Sequence, residues 1–115
     1  MPGQIVDILQ FAIDGVSTRQ NTIANDLANA QTPGFTASAT NFEASLEQAL
    51  NAAGPATAKV TTTATTDLPA ANGNNVSMAD ELVDAEKATL QFQTVSESLN
   101  AQFRLVAGAS EGSYQ

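Results

Sequence analysis

The sequence predicts an all-α fold, in which two long terminal helices pack as an antiparallel coiled-coil pair and are joined by one short helix and an extended, partly disordered middle segment. Apolar residues recur at helical spacing near both ends of the 115-residue chain, and large apolar residues are scarce between them. We expect residues 1–54 to hold the N-terminal and short helices, residues 55–75 a polar linker, and residues 76–115 the C-terminal coiled-coil helix. Residues 1–35 and the last helix would then form one helical core domain.

The first helix is predicted from residue 5 to residue 30. Its apolar stripe consists of Ile5, Leu9, Ala12, Val16, Ile23, Leu27 and Ala30. Gly15 inside this stripe costs about 1 kcal/mol relative to alanine, and a glycine there is sometimes a sign of a close helix approach. Pro33 and Gly34 suit the two central positions of a type II turn, which would end the helix.

A short second helix is predicted after this turn. Thr40 and Glu43 have capping-box spacing. The apolar residues that follow are Phe42, Leu46, Ala49, Leu50 and Ala53. Gly54 and Pro55 would stop this helix.

The linker has only two large apolar residues, Val60 and Leu68. Its stretch 59–66 is rich in β-branched residues, which favour either a short strand or an extended, mobile segment. We favour the mobile alternative. The Asn-Gly-Asn-Asn cluster at 72–75 predicts a turn before the last helix.

The last helix has the strongest periodicity in the sequence and should span about 30 residues. Its predicted seam is Met78, Leu82, Ala85, Thr89, Phe92, Ser96, Leu99, Phe103 and Val106. Ser77 with Asp80 resembles a capping box at its start. Val83, Leu90 and Val95 lie off this seam and would remain exposed. Because two helices bury little apolar surface, we expect an isolated chain to be loosely folded and to become ordered within an assembly.

Asn21, Asn25 and Asn29 form a stripe with a spacing of four residues on the first helix. Asparagine is a poor helix former, so three asparagines on one helix face are unexpected unless they have a structural or functional role. One interpretation is a solvated polar face. The other is that these amides bond neighbouring helices across an interface and set its register.

Charge and composition exclude several classes of function. The chain has 12 acidic and 4 basic residues, a formal net charge of −8, and no histidine, cysteine or tryptophan. Nucleic-acid binding is unexpected because phosphate affinity depends on clustered Lys and Arg. Catalytic triads and Cys/His metal sites lack their residues. We therefore expect no enzyme activity, no catalytic residue, no cofactor, no metal, no membrane-spanning segment and no cleaved signal peptide.

The stretch at Ile23–Phe35 reads IANDLANAQTPGF and resembles the N-terminal signature of bacterial flagellar rod and hook proteins. It departs from that signature at Asp26, where the family usually has Asn or Ser. Residues 72–78, 81–82, 90–93 and 99–103, together with Phe42 and Glu43, are similar to proximal-rod members of the flagellar basal-body rod protein family. The resemblance covers both ends of the chain and leaves the linker unmatched.

This resemblance implies a structural subunit that self-assembles into the motor drive shaft. Such a subunit is exported by the flagellar type III apparatus and lies in the periplasmic rod of the basal body. Implied partners are copies of itself, the other proximal-rod proteins and the hook-basal-body adaptor protein. The residues expected at the assembly interface are Asn21, Asn25, Leu27, Asn29, Pro33, Gly34, Phe35, Leu82, Phe92, Leu99 and Phe103.

Two alternatives remain open at this point. The chain could be another paralogue of the same rod family, since paralogues share the N-terminal signature and a similar last helix. It could instead be a small acidic helical binding module or secretion chaperone. A soluble monomer or dimer that captures a partner would favour the second alternative.

Overall fold

The computed structural model describes residues 2–51, 54 and 58–112 of an elongated molecule that measures 69 × 26 × 14 Å. Its elements in chain order are α1 (Pro2–Ala28), β1 (Ser38–Thr40), α2 (Phe42–Leu50), β2 (Thr62–Ala64) and α3 (Met78–Gly112). The structure is mainly helical, with one long helix near each end, as predicted. It departs from the all-α prediction in a two-stranded antiparallel sheet. Ala53 and Pro55, the predicted end and stop of the short helix, lie outside the described residues.

The segment that follows α1 confirms the predicted turn. The Phe35 backbone N–H donates to the Thr32 carbonyl at 3.2 Å, which places Pro33 and Gly34 at the two central positions. Gly34 has a φ of 74°, in the left-handed region that a type II turn requires at its third residue. The helix ends at Ala28, two residues before the predicted end.

The capping box predicted for α2 is wrong. Thr40 belongs to β1, and Asn41 precedes the helix without a side-chain capping hydrogen bond. The Asn41 side chain instead accepts from the Thr61 backbone N–H at 2.6 Å, and the Asn41 N–H donates to the Thr61 carbonyl at 3.1 Å. The bond to Thr61 therefore occupies the Asn41 side chain, which makes no capping bond to α2.

Residues 62–64 of the middle segment form β2, so the strand alternative for the stretch 59–66 is correct there and the favoured mobile alternative is wrong. Ser38 pairs with Ala64 and Thr40 pairs with Thr62. Beside the sheet, the Ser45 hydroxyl donates to the Lys59 carbonyl at 2.8 Å. The middle segment thus returns to the helices and contacts both β1 and α2.

The start of α3 agrees with the predicted cap, because the Asp80 backbone N–H donates to the Ser77 hydroxyl at 3.4 Å. The face of α3 that packs on the core comprises Ala85, Ala88, Phe92 and Val95. The predicted seam is therefore correct at Ala85 and Phe92 and wrong at Thr89, which is exposed beside the fully buried Ala88. The prediction that Val95 is exposed is also wrong, whereas Val83 and Leu90 are exposed as predicted.

The buried cluster that holds these elements together is small. It consists of Ala12, Val16, Ile23, Phe42 and Ala88. Phe42 is its large aromatic member, and it packs over Gly15 of α1. A Cβ placed on Gly15 would lie 2.7 Å from the Phe42 Cε1 atom, so the glycine permits the close approach of α2 to α1.

We predict opposite effects of the same substitution at two glycines of the long helices. Gly15→Ala should lower the free energy of unfolding by about 1–2 kcal/mol, because the displaced Phe42 ring outweighs the gain in helix propensity. Gly108→Ala is the matched control, since nothing lies within 4 Å of its added Cβ, and it should raise stability by about 0.5 kcal/mol. Urea midpoints measure both; equal effects at the two positions would contradict the packing described here.

Candidate functional site

Seven large apolar side chains of α3 are about half exposed or more. They are Met78, Leu82, Val83, Leu90, Phe103, Leu105 and Val106. We call this set the α3 apolar surface. A helix that exposes apolar side chains over much of its length normally packs against another chain.

Some residues of the α3 apolar surface extend the row of apolar residues through which α3 packs on the core. From Ala85 and Ala88 the apolar positions recur in steps of three or four residues through Phe92, Val95 and Leu99 to Phe103 and Val106. The earlier residues are buried or half-buried, whereas Phe103 is 49% exposed and Val106 is 48% exposed. Near the start of α1, Ile5 is also 43% exposed. The packing between the two long helices is therefore incomplete at this end.

A groove of about 340 Å³ lies between α1, α2 and α3. Its walls are mostly apolar and include Val16, Leu46 and Leu90. Leu90 is 59% exposed and links the groove to the α3 apolar surface. The groove is therefore a candidate seat for an apolar side chain of another molecule.

A polar junction between residues 29–37 and residues 72–76 joins the end of α1 to the start of α3. It lies at the end of the helices opposite to Ile5 and Phe103. Asn74 is its centre and is only 4% exposed. Its Nδ2 donates to the Asn29 and Thr32 carbonyls, both at 2.8 Å, and its Oδ1 accepts from the Val76 N–H at 2.7 Å. Both carbonyls belong to the segment just after α1 and also accept from the Thr32 and Phe35 backbone N–H groups, at 3.0 and 3.2 Å, so the Asn74 amide gives each a second donor.

Backbone contacts reinforce the polar junction. The Gly34 N–H donates to the Asn72 carbonyl at 2.9 Å. A Cβ on Gly73, whose φ is 85°, would lie 3.2 Å from the Gly34 Cα. Asn75 Oδ1 accepts from the Ala37 N–H at 2.6 Å. The two segments that carry the sequence resemblance, 23–35 and 72–78, therefore meet in the fold although they are far apart along the chain.

Beside the junction lies a pair of carboxyl groups. Asp26 is fully buried, and its two oxygens face the Ser38 N–H at 3.2 and 3.3 Å. Burial, the neighbouring Asp26 carboxyl and the negative charges of Asp84 and Asp80 raise the pKa of Glu81 to about 7.

Arg19 connects four elements by its side chain. It donates from Nη1 to Glu43 of α2 at 2.7 Å and to Gln91 of α3 at 3.2 Å, and from Nε to Thr40 of β1 at 3.3 Å. Its guanidinium carbon lies 5.4 Å from the centroid of the Phe42 ring. The hydrogen bond from Arg19 lowers the pKa of Glu43. An open cavity of about 400 Å³ extends from Arg19 to Glu81.

The predicted interface residues divide between these features. Those that are exposed are Asn21, Asn25, Pro33, Gly34, Leu82 and Phe103. Those that are half-buried are Leu27, Asn29, Phe35, Phe92 and Leu99. Leu82 and Phe103 thus belong to the α3 apolar surface, whereas Leu27 and Phe92 pack against the core of the same chain.

The asparagine stripe forms local bonds. Asn29 Nδ2 donates to the Asn25 carbonyl at 2.9 Å, and Asn29 Oδ1 accepts from the Thr32 hydroxyl at 3.1 Å. Polar contacts between distant segments are made by Asp26, Asn74 and Arg19, among other residues. Sequence reasoning did not place these three in the site. Asp26 stood out only as a departure from the rod signature, and Asn74 only as part of a turn-forming cluster.

Two further properties concern the described part of the chain alone. Among residues 2–51, 54 and 58–112, no group of three or more acidic side chains is arranged to hold a metal ion. No helix within those same residues is long and apolar enough to cross a membrane.

We predict that Asn74→Asp destabilises the fold, although the aspartate side chain has nearly the same size and shape as asparagine. Aspartate lacks the two amide hydrogens that reach the Asn29 and Thr32 carbonyls, and it adds a negative charge at the negative end of α1. The loss should be about 2–4 kcal/mol by chemical denaturation. Asn72→Asp is the control, because Asn72 uses its Oδ1 as an acceptor for the Asn74 N–H and aspartate retains it. Equal losses would argue against the amide donors as the cause.

Comparison with known proteins does not assign the chain to a family. No protein-family model matches it, and no curated protein matches it. Its function is therefore inferred from its residues and geometry, together with the resemblance described above.

Proposed function

We propose that the chain is a structural subunit of the bacterial flagellar basal-body rod and self-assembles through its terminal helices. The signature at Ile23–Phe35 and the related residues of the last helix support this proposal, with most similarity to the proximal-rod subunit called rod protein B. Another paralogue, such as rod protein C, is the alternative within the family. The role is mechanical, with no catalytic step.

The observation that carries the proposal is the incomplete packing between the two long helices. Gln91 of α3 faces Arg19 of α1, and Glu81 faces Asp26, so successive contacts run in opposite directions along the helices. We propose that α1 and α3 form an antiparallel coiled-coil pair. The row of apolar residues on α3 extends beyond its contact with α1 to Phe103 and Val106. A neighbouring subunit would pack against these two exposed residues.

Burial of this surface provides the free energy for association. A large apolar side chain contributes about 1.5–3 kcal/mol when it is fully transferred from water, so a half-exposed one has about half of that left to gain. Seven such residues on α3 make the helix a favourable surface for contact with several neighbours. The gain compensates for a core that is small in the single chain.

Electrostatic repulsion opposes assembly, because every copy has a formal net charge of −8. Contacts between copies must therefore be short-range and apolar, or involve less acidic partners. We propose as partners copies of the same chain, the other proximal-rod proteins, the hook-basal-body adaptor protein and the flagellar type III export apparatus. The place of action would be the periplasmic rod.

A second candidate function is a helical binding module or secretion chaperone. The apolar groove between α1, α2 and α3 favours it, since one amphipathic helix of a client could place a side chain there. The two functions differ in what completes the α3 apolar surface. A rod subunit binds many copies and relatives, whereas a chaperone binds one client and stays soluble.

We predict that Leu82→Asp and Phe103→Asp abolish rod assembly in the source bacterium. Both side chains are about half exposed in the single chain, so each change should leave the fold intact and remove an intermolecular contact. The affinity between subunits should fall by at least about tenfold, which corresponds to about 1.4 kcal/mol per contact. Swimming and intact hook-basal bodies should both be lost. Exported subunit should still be detected outside the cytoplasm.

Gln93→Asp is the control, because it adds the same charge at an exposed polar position of α3. It should leave motility near the wild-type level. Normal motility in both apolar variants would contradict the interface, and a source organism without flagella would contradict the rod itself.

We predict that the purified chain associates more strongly as salt rises. Raising ionic strength from about 0.05 M to about 0.5 M screens the repulsion between copies and leaves apolar contacts in place. The thermal midpoint should then increase with protein concentration, because only the associated form gains from mass action. Sedimentation and calorimetry measure this; a monomer whose midpoint does not depend on concentration would favour the binding module.

A further inference from the structure

The apolar groove between α1, α2 and α3 has acidic residues beside it. Leu46 of α2 and Leu90 of α3 line the groove. Glu47 follows Leu46, and Glu86 and Glu97 share one face of α3 with Leu90, because they lie four residues before it and seven residues after it. We call these three glutamates the acidic rim. All three are exposed, and within the described part of the chain none of them forms an ion pair.

The positive charges near the groove do not neutralise the acidic rim. Arg19 is bound to Glu43. Lys87, three residues before Leu90, lines the separate open cavity beside Arg19. The groove therefore favours an occupant that combines apolar side chains with a positive charge.

Residues 98–108 of α3, which we call the α3 end, have this chemistry. Phe103 and Val106 are about half exposed and lie three residues apart, so they are neighbours on one helix face. Arg104 is the only charged residue of the α3 end. It is exposed, and it forms no ion pair with any other residue that the structure describes.

The α3 end cannot occupy the groove of its own chain. Leu90 and Phe103 belong to the same helix and lie about 20 Å apart along its axis. Contact between them within one chain would require α3 to break. Each copy therefore has both halves of a contact that it can make only with another molecule.

We propose that the α3 end of one copy docks into the apolar groove of a second copy, with Phe103 and Val106 in the groove and Arg104 facing the acidic rim. Recognition of a helix in a groove uses anchors three or four residues apart, which these two apolar residues provide. The opposite charges attract each other locally, although the two copies repel each other as wholes. This inference rests on the proposed self-assembly and names the contact between one copy and the next.

Two variants that each lack one half of the contact test this proposal. Leu90→Asp disrupts the groove and keeps the α3 end, whereas Phe103→Asp disrupts the α3 end and keeps the groove. Both side chains are about half exposed, so both variants should keep the helical circular dichroism of the wild type. Sedimentation at about 0.5 M salt, where repulsion between copies is screened, measures their association. Each variant alone should associate at least about tenfold more weakly than the wild type.

An equimolar mixture of the two variants should form one-to-one heterodimers, because one intact groove then meets one intact α3 end. Gln93→Asp is the matched control, since it adds the same charge at an exposed position of α3 outside the groove lining, and it should associate like the wild type. If either variant does not fold, Thr94→Asp in the groove and Val106→Asp in the α3 end replace it.

A second measurement tests the role of charge. Arg104→Glu added to the Leu90→Asp chain should weaken the heterodimer at least about threefold, because the α3 end would then repel the acidic rim. Arg104→Lys in the same chain keeps the charge and should retain most of the affinity. Equal affinity with lysine and with glutamate would overturn the docking of Arg104 at the rim.

The outcomes separate this contact from self-assembly in general. A wild type that associates while the mixed variants stay monomeric would overturn the contact and leave self-assembly standing, as expected if identical faces of α3 pair with each other. A wild type that stays monomeric at every concentration would overturn both.

Discussion

The arrangement of the two long helices depends on the buried amide of Asn74. Its two hydrogens bond the Asn29 and Thr32 carbonyls just after α1, and its oxygen accepts from the Val76 N–H just before α3. A buried side chain that bonds both segments fixes where the second helix starts relative to the end of the first. Gly34 and Gly73 let the two backbones approach closely enough for these bonds to form.

Periodicity in the sequence predicted the parts of the fold that depend on local spacing. It predicted both long helices and the exposure of Leu90, whereas the residue types Pro33 and Gly34 predicted the turn after α1. It was correct at Ala85 and Phe92 of α3 but placed Thr89 on the buried face, where the structure has its smaller, apolar neighbour Ala88. The spacing of apolar residues does not reveal which of two adjacent faces fits a neighbour more closely.

The candidate site was harder to predict because its contacts join residues that are distant in sequence. Asp26 and Glu81 are separated by two strands and a helix, and Arg19 reaches three other elements. The local sequence around each of these residues predicts an ordinary exposed charged side chain on a helix. Tertiary packing determines which charges are buried, and a small core leaves few positions where that can happen.

The segment between α1 and α3 begins and ends at nearly the same place, because the polar junction holds residues 29–35 against residues 72–75. Leu68 lies in this segment with 93% of its surface exposed. The chain contains no cysteine, so Leu68→Cys would introduce a unique thiol outside the buried cluster of the helices. A fluorophore attached there could report the location of the subunit in a cell and leave the helices unmodified.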